Sequence, residues 1–486
     1  MGQIFNPYLP GYEYIPDGEP YIFGDRLYIF GSHDAFNGQN YCVNDYVCWS
    51  TPVSDLSDWK YEGVIYRRGQ DALDPEGSRC MCAPDVGRGP DGRYYLYYTL
   101  DLGGKAGPMS VAVCNTPAGK YEYYGAVRYP DGRVLGAREG ELLNFDPGIF
   151  IDDDGCIFLY TGIAPPNVGG LRKKVNSLNR IADGGYVIEL EPDMLTIKKE
   201  PKRLFSGFEE ALGTPFEGHA FFEASSLRKI KGKYYFIYCS ENSHELCYAI
   251  SDKPDGDFYF GGTLVSIGDV FLNGRKSENA VNYLGNTHGS LGCINGAWYV
   301  FYHRQTNLNQ FSRQGCAEPV HIKDDGSIPQ AEITSCGLNS GPLSGHGLYE
   351  ARICCNLYSA KGTFAYGMTK PENTEHPYFT QDGTDREDNP GQYIANMRCG
   401  STAGFKYFEM EGVRDISVTI RGKANGTFDV SAIPGGEPLA QLPVSPFSND
   451  EWHEVSSPLK AIYGKQALYF TFHGEGALDF LYFKLI

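Results

Sequence analysis

Five short stretches of the chain share one pattern: a turn containing glycine, then a short strand rich in aromatic residues. They read GDRLYIFGS from Gly24, DGRYYLYYT from Asp91, DGCIFLYTG from Asp154, KGKYYFIYC from Lys231 and NGAWYVFYH from Asn295. Their glycines, at 24, 92, 155, 232 and 296, are 63 to 77 residues apart, which leaves room for about four short strands in each interval. Glycine tolerates positive φ, and apolar residues alternating on either side of it mark a hairpin. Five such hairpins predict an all-β fold with a five-bladed β-propeller over residues 1–335. A single large sandwich would not explain their even spacing.

Beyond Ile333 the texture changes. CGLNSGPLSGHG, residues 336–347, is rich in glycine and serine and reads as a linker. Segments such as ISVTIRG, TFDVSAI and ALYFTFHG then alternate between turns, which predicts a β-sandwich (jelly-roll-like) over residues 348–486. A chain of 486 residues is long enough for two or three domains. Its 60 glycines, 36 tyrosines and 28 phenylalanines suit short strands and many turns.

The net charge of -18 argues against nucleic acid or an anionic membrane surface as partner and favours a neutral ligand. No apolar stretch of twenty residues predicts a membrane span. The opening MGQIFNPYLPGYEY has neither a basic start nor an apolar signal segment, so a cytoplasmic location is expected. The fourteen cysteines have neither disulfide-framework nor zinc spacing and are expected to be free thiols.

Ionisable residues recur at similar distances ahead of the five hairpin glycines. Asp17 and Asp85 stand seven residues before theirs, Asp146 and Glu223 nine, and His288 eight. In a propeller these positions are strand starts around the axis, where each blade can give one residue to a shared pocket. Within FDPGIFIDDDGCIFLYTG, the aspartates 152–154 read as a solvated hairpin turn. Asp146 precedes Pro147, which biases it to an extended conformation at the head of a strand. Asp85 in CAPDV reads as a backbone-binding structural residue. Asp34 in GSHD reads as lining the pocket or capping a turn.

The motifs PDGEPYIFGDRLYIFGSHD, CAPDV, FDPGIFIDDDG, FFEASSL and NTHGS, taken in this order, resemble glycoside hydrolase family 43, the five-bladed propeller enzymes that release arabinose or xylose. The usual aspartate-proline of the first motif is Asp17-Gly18 here. The C-terminal region, with QYIANMRCGSTAGFKYFEMEG, resembles the family 6-type carbohydrate-binding sandwich. Tyr378 and Phe379 are exposed-aromatic candidates for a sugar platform on it.

The resemblance implies a division of labour among three carboxylates. Asp17 would be the base that activates water, Glu223 the acid that protonates the leaving oxygen, and Asp146 the neighbour that raises the Glu223 pKa. His288 and Arg313, in FSRQGC, would contact the sugar. No cofactor is required, and the resemblance allows a structural calcium ion that His288 would contact through water. The expected activity is that of an inverting exo-glycosidase acting on terminal α-L-arabinofuranosyl or β-D-xylosyl residues of neutral hemicellulose-derived oligosaccharides. The alternatives are a β-D-galactofuranosidase, an endo-arabinanase, and a non-catalytic carbohydrate-binding propeller.

Overall fold

The five glycine turns close the two innermost strands of five separate sheets. In blade five, Ile294 pairs with Ala297 across Asn295 and Gly296, whose φ angles are 50° and 84°. That is the two-residue turn whose twist matches the flanking strands, and asparagine-glycine is the pair that tolerates it. A computed structural model of the chain describes residues 4–102, 106–166, 170–339, 341–386, 391–446 and 451–486.

Four of the five sheets have four antiparallel strands hydrogen-bonded in chain order. Blade one runs Glu19–Phe23, Arg26–Phe30, Tyr46–Pro52 and Lys60–Tyr66; blade two runs Met81–Arg88, Tyr94–Leu100, Met109–Cys114 and Glu122–Ala126. Blade three runs Gly148–Ile151, Ile157–Ile163, Gly184–Leu190 and Ile197–Ser206; blade four runs Phe221–Ile230, Lys233–Ser240, Glu245–Ser251 and Tyr259–Ser266. Blade five has three strands, Leu291–Ile294, Ala297–Thr306 and Asn309–Val320.

The beginning of the chain lies along the open edge of blade five. Tyr8 N donates to Gly315 O (3.3 Å), and the Asn6 side chain exchanges hydrogen bonds with both backbone groups of Ala317 (2.9 Å each). A parallel bridge between Gly18 and Gly289 joins blades one and five at their inner edges. The ring therefore closes by backbone pairing at the hub and by the first residues at the rim, which covers an edge that would otherwise template association.

The aspartate turn of blade three is only partly solvated. Asp153 and Asp154 are exposed, but Asp152 is buried, with Lys229 Nζ at 2.6 Å and Tyr234 OH at 2.5 Å. It ties blade three to blade four. A turn aspartate whose partners lie in the next blade gives no local sign of its burial.

The C-terminal region is a sandwich of two six-stranded sheets. Thr402–Met410, Gly464–Glu475, Asn425–Ser431 and Ala440–Val444 form the body of one sheet; Gln392–Met397, Leu478–Leu485, Asp415–Gly422 and His453–Pro458 form that of the other. Residues 336–347, Ser340 lying outside the described residues, do not form a free tether. Cys336, Leu338 and Leu343 are buried, and Leu343 and Ser344 pair in parallel with Phe408 and Glu409.

The two domains share a dense seam. Arg386 reaches buried Glu13 at 2.5 Å, Lys406 bridges Asp269 (3.3 Å) and Glu332 (2.9 Å), and Tyr366 stacks on Tyr283 with centroids 5.1 Å apart. Phe379 is not a sugar platform. It is 1% exposed, its backbone accepts from Asn307 N, and the Arg304 guanidinium lies 3.8 Å from its ring centre. Tyr378, beside it, is half-buried. A cavity of about 500 Å³ opens at the seam among Tyr8, Trp59, Arg352, Gln392 and Tyr482, and none of the hub carboxylates lines it.

Candidate active site

The heads of the inner strands carry an unusual backbone. Asp17, Ala83, Asp146 and Ala224 have φ angles of 58°, 34°, 47° and 68°, a region that non-glycine residues enter at a cost of about 1–3 kcal/mol each. Asp146 is therefore not extended, despite preceding Pro147. Its Oδ2 accepts from Ala224 N of blade four (3.1 Å), and that tertiary bond overrides the local bias. Strain of this kind persists where the surroundings dictate a side-chain direction.

Arg313, from the outer strand of blade five, organises one side of the hub. Its Nε and Nη2 grip Asp34 at 2.8 and 3.0 Å, while Nη1 donates to Asp17 Oδ1 at 3.1 Å. The guanidinium lies 4.8 Å from the Tyr41 ring centre, and Arg313, Asp34 and Asp17 are all buried. Burial opposes the ionised form of Asp17, yet Arg313, with help from His288 and Ser32, holds its carboxyl below the usual range. Asp17 is thus a carboxylate.

His303, which closes the fifth repeat, is a hub residue that sequence reasoning did not single out. Its Nδ1 accepts from Asp17 N at 3.3 Å, and burial and the nearby Arg313 push its pKa down to about 3. The ring is neutral, so the 3.3 Å approach of the same nitrogen to Asp17 Oδ1 is not an ion pair. The only sequence signal was a polar residue ending an apolar strand.

Glu223 reaches the hub from blade four. It is the third residue of blade four's inner strand, keeps some contact with solvent, and its carboxyl has no protein hydrogen-bond partner among the described residues. Burial, and then the negative charge of Asp146, raise its pKa well above the ordinary glutamate value. His288 Nδ1 lies 3.4 Å from Asp146 Oδ2; although burial disfavours its charge, Asp146 draws the histidine pKa up to about 9. Asp146 itself is raised by burial, with His288 opposing.

These facts bear on a metal ion. Calcium takes oxygen ligands, so His288 could reach such an ion only through a water. Among the described residues, the one cluster with ligand spacing, His219, Glu245 and Cys247, lies out in blade four. The hub does not fit direct calcium ligation at His288.

Below the carboxylates, Arg228 of blade four pairs with Glu19 of blade one at 2.6 Å and lies 4.9 Å from the Tyr21 ring centre. Asp85 accepts from Tyr21 OH and from Ile149 N of blade three, both at 2.7 Å, so it joins three blades and serves the scaffold. Hence the structure brings Asp17, Asp146, Glu223, His288 and Arg313 together at one end of the axis, with Asp34 and His303 added. Two carboxyl groups in one site, one favoured as the carboxylate and the other as the acid, are an arrangement that can supply a base and an acid to one reaction.

The chain matches the profile of the Glycosyl hydrolases family 43 over residues 16–328. It is 49% identical over 485 residues to a xylosidase/arabinosidase of Thermoclostridium stercorarium, covering 99% of both chains. Among solved structures, it is similar to an arabinoxylan arabinofuranohydrolase of Bacillus subtilis in complex with cellotetraose, at 20% identity and a TM-score of 0.52, over 99% of this chain and 97% of that one. A family 43 enzyme of Xanthomonas citri complexed with xylotriose, at 23% identity and a TM-score of 0.52, covers 68% of this chain and 95% of its own. At these identities the two structures speak for the fold. With the full-length relative and the profile match beside the paired carboxyl groups, the chain belongs to glycosyl hydrolase family 43 and is a glycoside hydrolase.

Proposed function

We propose that the protein is an inverting exo-glycosidase that removes terminal α-L-arabinofuranosyl or β-D-xylosyl residues from neutral oligosaccharides. The observation that carries the chemistry is the opposed tuning of Asp17, held ionised by Arg313, and Glu223, held protonated by burial and Asp146. The substrate class rests on the full-length relative named xylosidase/arabinosidase.

In this reading Asp17 takes a proton from a water whose oxygen attacks the anomeric carbon. The bond from that carbon to the leaving oxygen breaks on the opposite face, and Glu223 gives that oxygen its proton. Asp17 ends protonated and Glu223 ionised, and exchange with solvent restores both. Asp146 keeps Glu223 protonated, and His288 balances the Asp146 charge. Arg313 fixes the direction of Asp17.

A panel of nitrophenyl α-L-arabinofuranoside, β-D-xylopyranoside and β-D-galactofuranoside tests the substrate class. Release from either of the first two is expected. Release from the galactofuranoside alone, or from none, would overturn it, as would a spread of internal fragments from arabinan.

A further inference from the structure

The connection leaving blade four's last strand turns through five left-handed residues, of which Phe271 is the one whose type disfavours that conformation. Gly268, Asp269, Phe271, Asn273 and Gly274 have φ angles of 85°, 54°, 73°, 53° and 77°. For a residue as bulky as phenylalanine a left-handed conformation is an outlier, and it is held in place from several sides. Asp269 accepts from Ile333 N (2.8 Å) and Lys406 Nζ (3.3 Å), Gln330 donates to Val270 O (2.8 Å), and Phe271 N donates to Arg275 O (2.8 Å). All this holds the Phe271 side chain 39% exposed.

Phe271 does not stand alone. His219 meets its ring edge-on, with centroids 5.3 Å apart and planes at 66°, and itself stacks on Phe260 at 5.0 Å. His219 Nδ1 is committed to buried Glu245 at 2.9 Å, and Glu245 also accepts from Ser240 (2.6 Å) and Asn242 (3.0 Å). That arrangement fixes the ring and leaves Nε2 without a protein partner among the described residues. An aromatic face beside an unspent ring nitrogen is what a sugar needs: apolar C–H groups pack on the ring, and a hydroxyl bonds the nitrogen.

Its place follows from strand direction. Glu223 lies at the head of the inner strand; residues 241–244 and 267–287 connect strands at the same end of the blade. Ile267 N donates to His244 O (3.0 Å) and Thr287 N to Ser243 O (2.9 Å), which links the Phe271 connection to His288 at the hub. Glu245 is on the third strand of the blade, two strand spacings from Glu223, so the platform stands roughly 10 Å outward, about the span of a disaccharide.

We propose that Phe271 and His219 form a subsite for a sugar ring on the leaving-group side of the substrate. The side follows from Glu223 as the acid, so the inference rests on the activity proposed above. The test compares kcat/KM for a linear xylo-oligosaccharide or its arabinosylated form with that for the nitrophenyl glycoside of the same terminal sugar, using the full chain. In Phe271→Ala, the oligosaccharide-to-nitrophenyl ratio is expected to fall about tenfold, chiefly through KM, and Phe271→Tyr is expected to restore most of it. A ratio unchanged in Phe271→Ala, or equal losses on both substrates, would overturn the subsite while leaving the activity in place. A wild-type chain that hydrolyses neither substrate would overturn the activity itself, and the subsite with it.

Discussion

Phe405, Phe408, Phe428, Phe470, Phe472, Phe480 and Phe483 fill the middle of the sandwich with no measurable exposure. The propeller hub buries Asp17, Asp34, Asp146 and Arg313 in a comparable way, but with charges in place of rings. In the sandwich core ring packs against ring, as Phe405 meets Phe483 at 4.7 Å. The hub instead holds left-handed aspartates and desolvated charges that are tolerable only because each has a named partner. Departures from local rules collect where chemistry is done, and regular packing elsewhere offsets their cost.

If that contrast is real, substitutions in the two regions have different signatures. Asp17→Asn is expected to lower kcat/KM by about 10³–10⁴-fold on every substrate while the chain still folds, because the amide cannot take a proton from water. Retention of a tenth of the activity would remove Asp17 from the mechanism. Phe470→Ala in the sandwich is expected to cost about 3–5 kcal/mol of stability in denaturant unfolding and to leave turnover per folded molecule close to wild type. A matching loss of kcat would mean that the two regions are not separable.

Lys406→Met tests the seam between them. It strips the cation from buried Asp269, with an expected loss of about 3 kcal/mol seen as a lower unfolding midpoint. No change in the midpoint would show the seam pair to be ornamental. Asp146→Asn has the smallest expected effect. Removing a negative neighbour lets Glu223 ionise at lower pH, so the alkaline limb of kcat/KM moves down the pH scale. The move is modest because burial is the larger cause of the raised pKa and because His288, losing Asp146, also loses the attraction that keeps it charged. A limb that moved upward would contradict the like-charge role.

Much of the fold is readable from residues close in sequence. The turn glycines and alternating aromatics of the five hairpins are local signals, and so are the alternating strands of the sandwich. Closure of the ring is not, because it depends on Asn6 meeting Ala317 across almost the whole propeller. The same distance effect explains the site. Asp17, Asp146 and Glu223 stand out by their spacing ahead of each hairpin, whereas His303 looks like the end of an apolar strand. Asp152 reads as a free turn residue because Lys229 and Tyr234 belong to another blade. Phe379 reads as exposed because nothing nearby in sequence announces the Arg304 side chain that covers it.

The assignment of Glu223 as the acid is the claim on which the mechanism turns. An acid catalyst matters most when the leaving group is a sugar alcohol and least when it is an acidic phenol. The decisive measurement is therefore kcat/KM of Glu223→Ala on a xylo-oligosaccharide or arabinoxylo-oligosaccharide and on the dinitrophenyl glycoside of the same terminal sugar. The expected result is a loss on the order of 10²–10⁴-fold on the oligosaccharide and a far smaller one on the activated substrate. Equal losses on both would contradict the role given to Glu223.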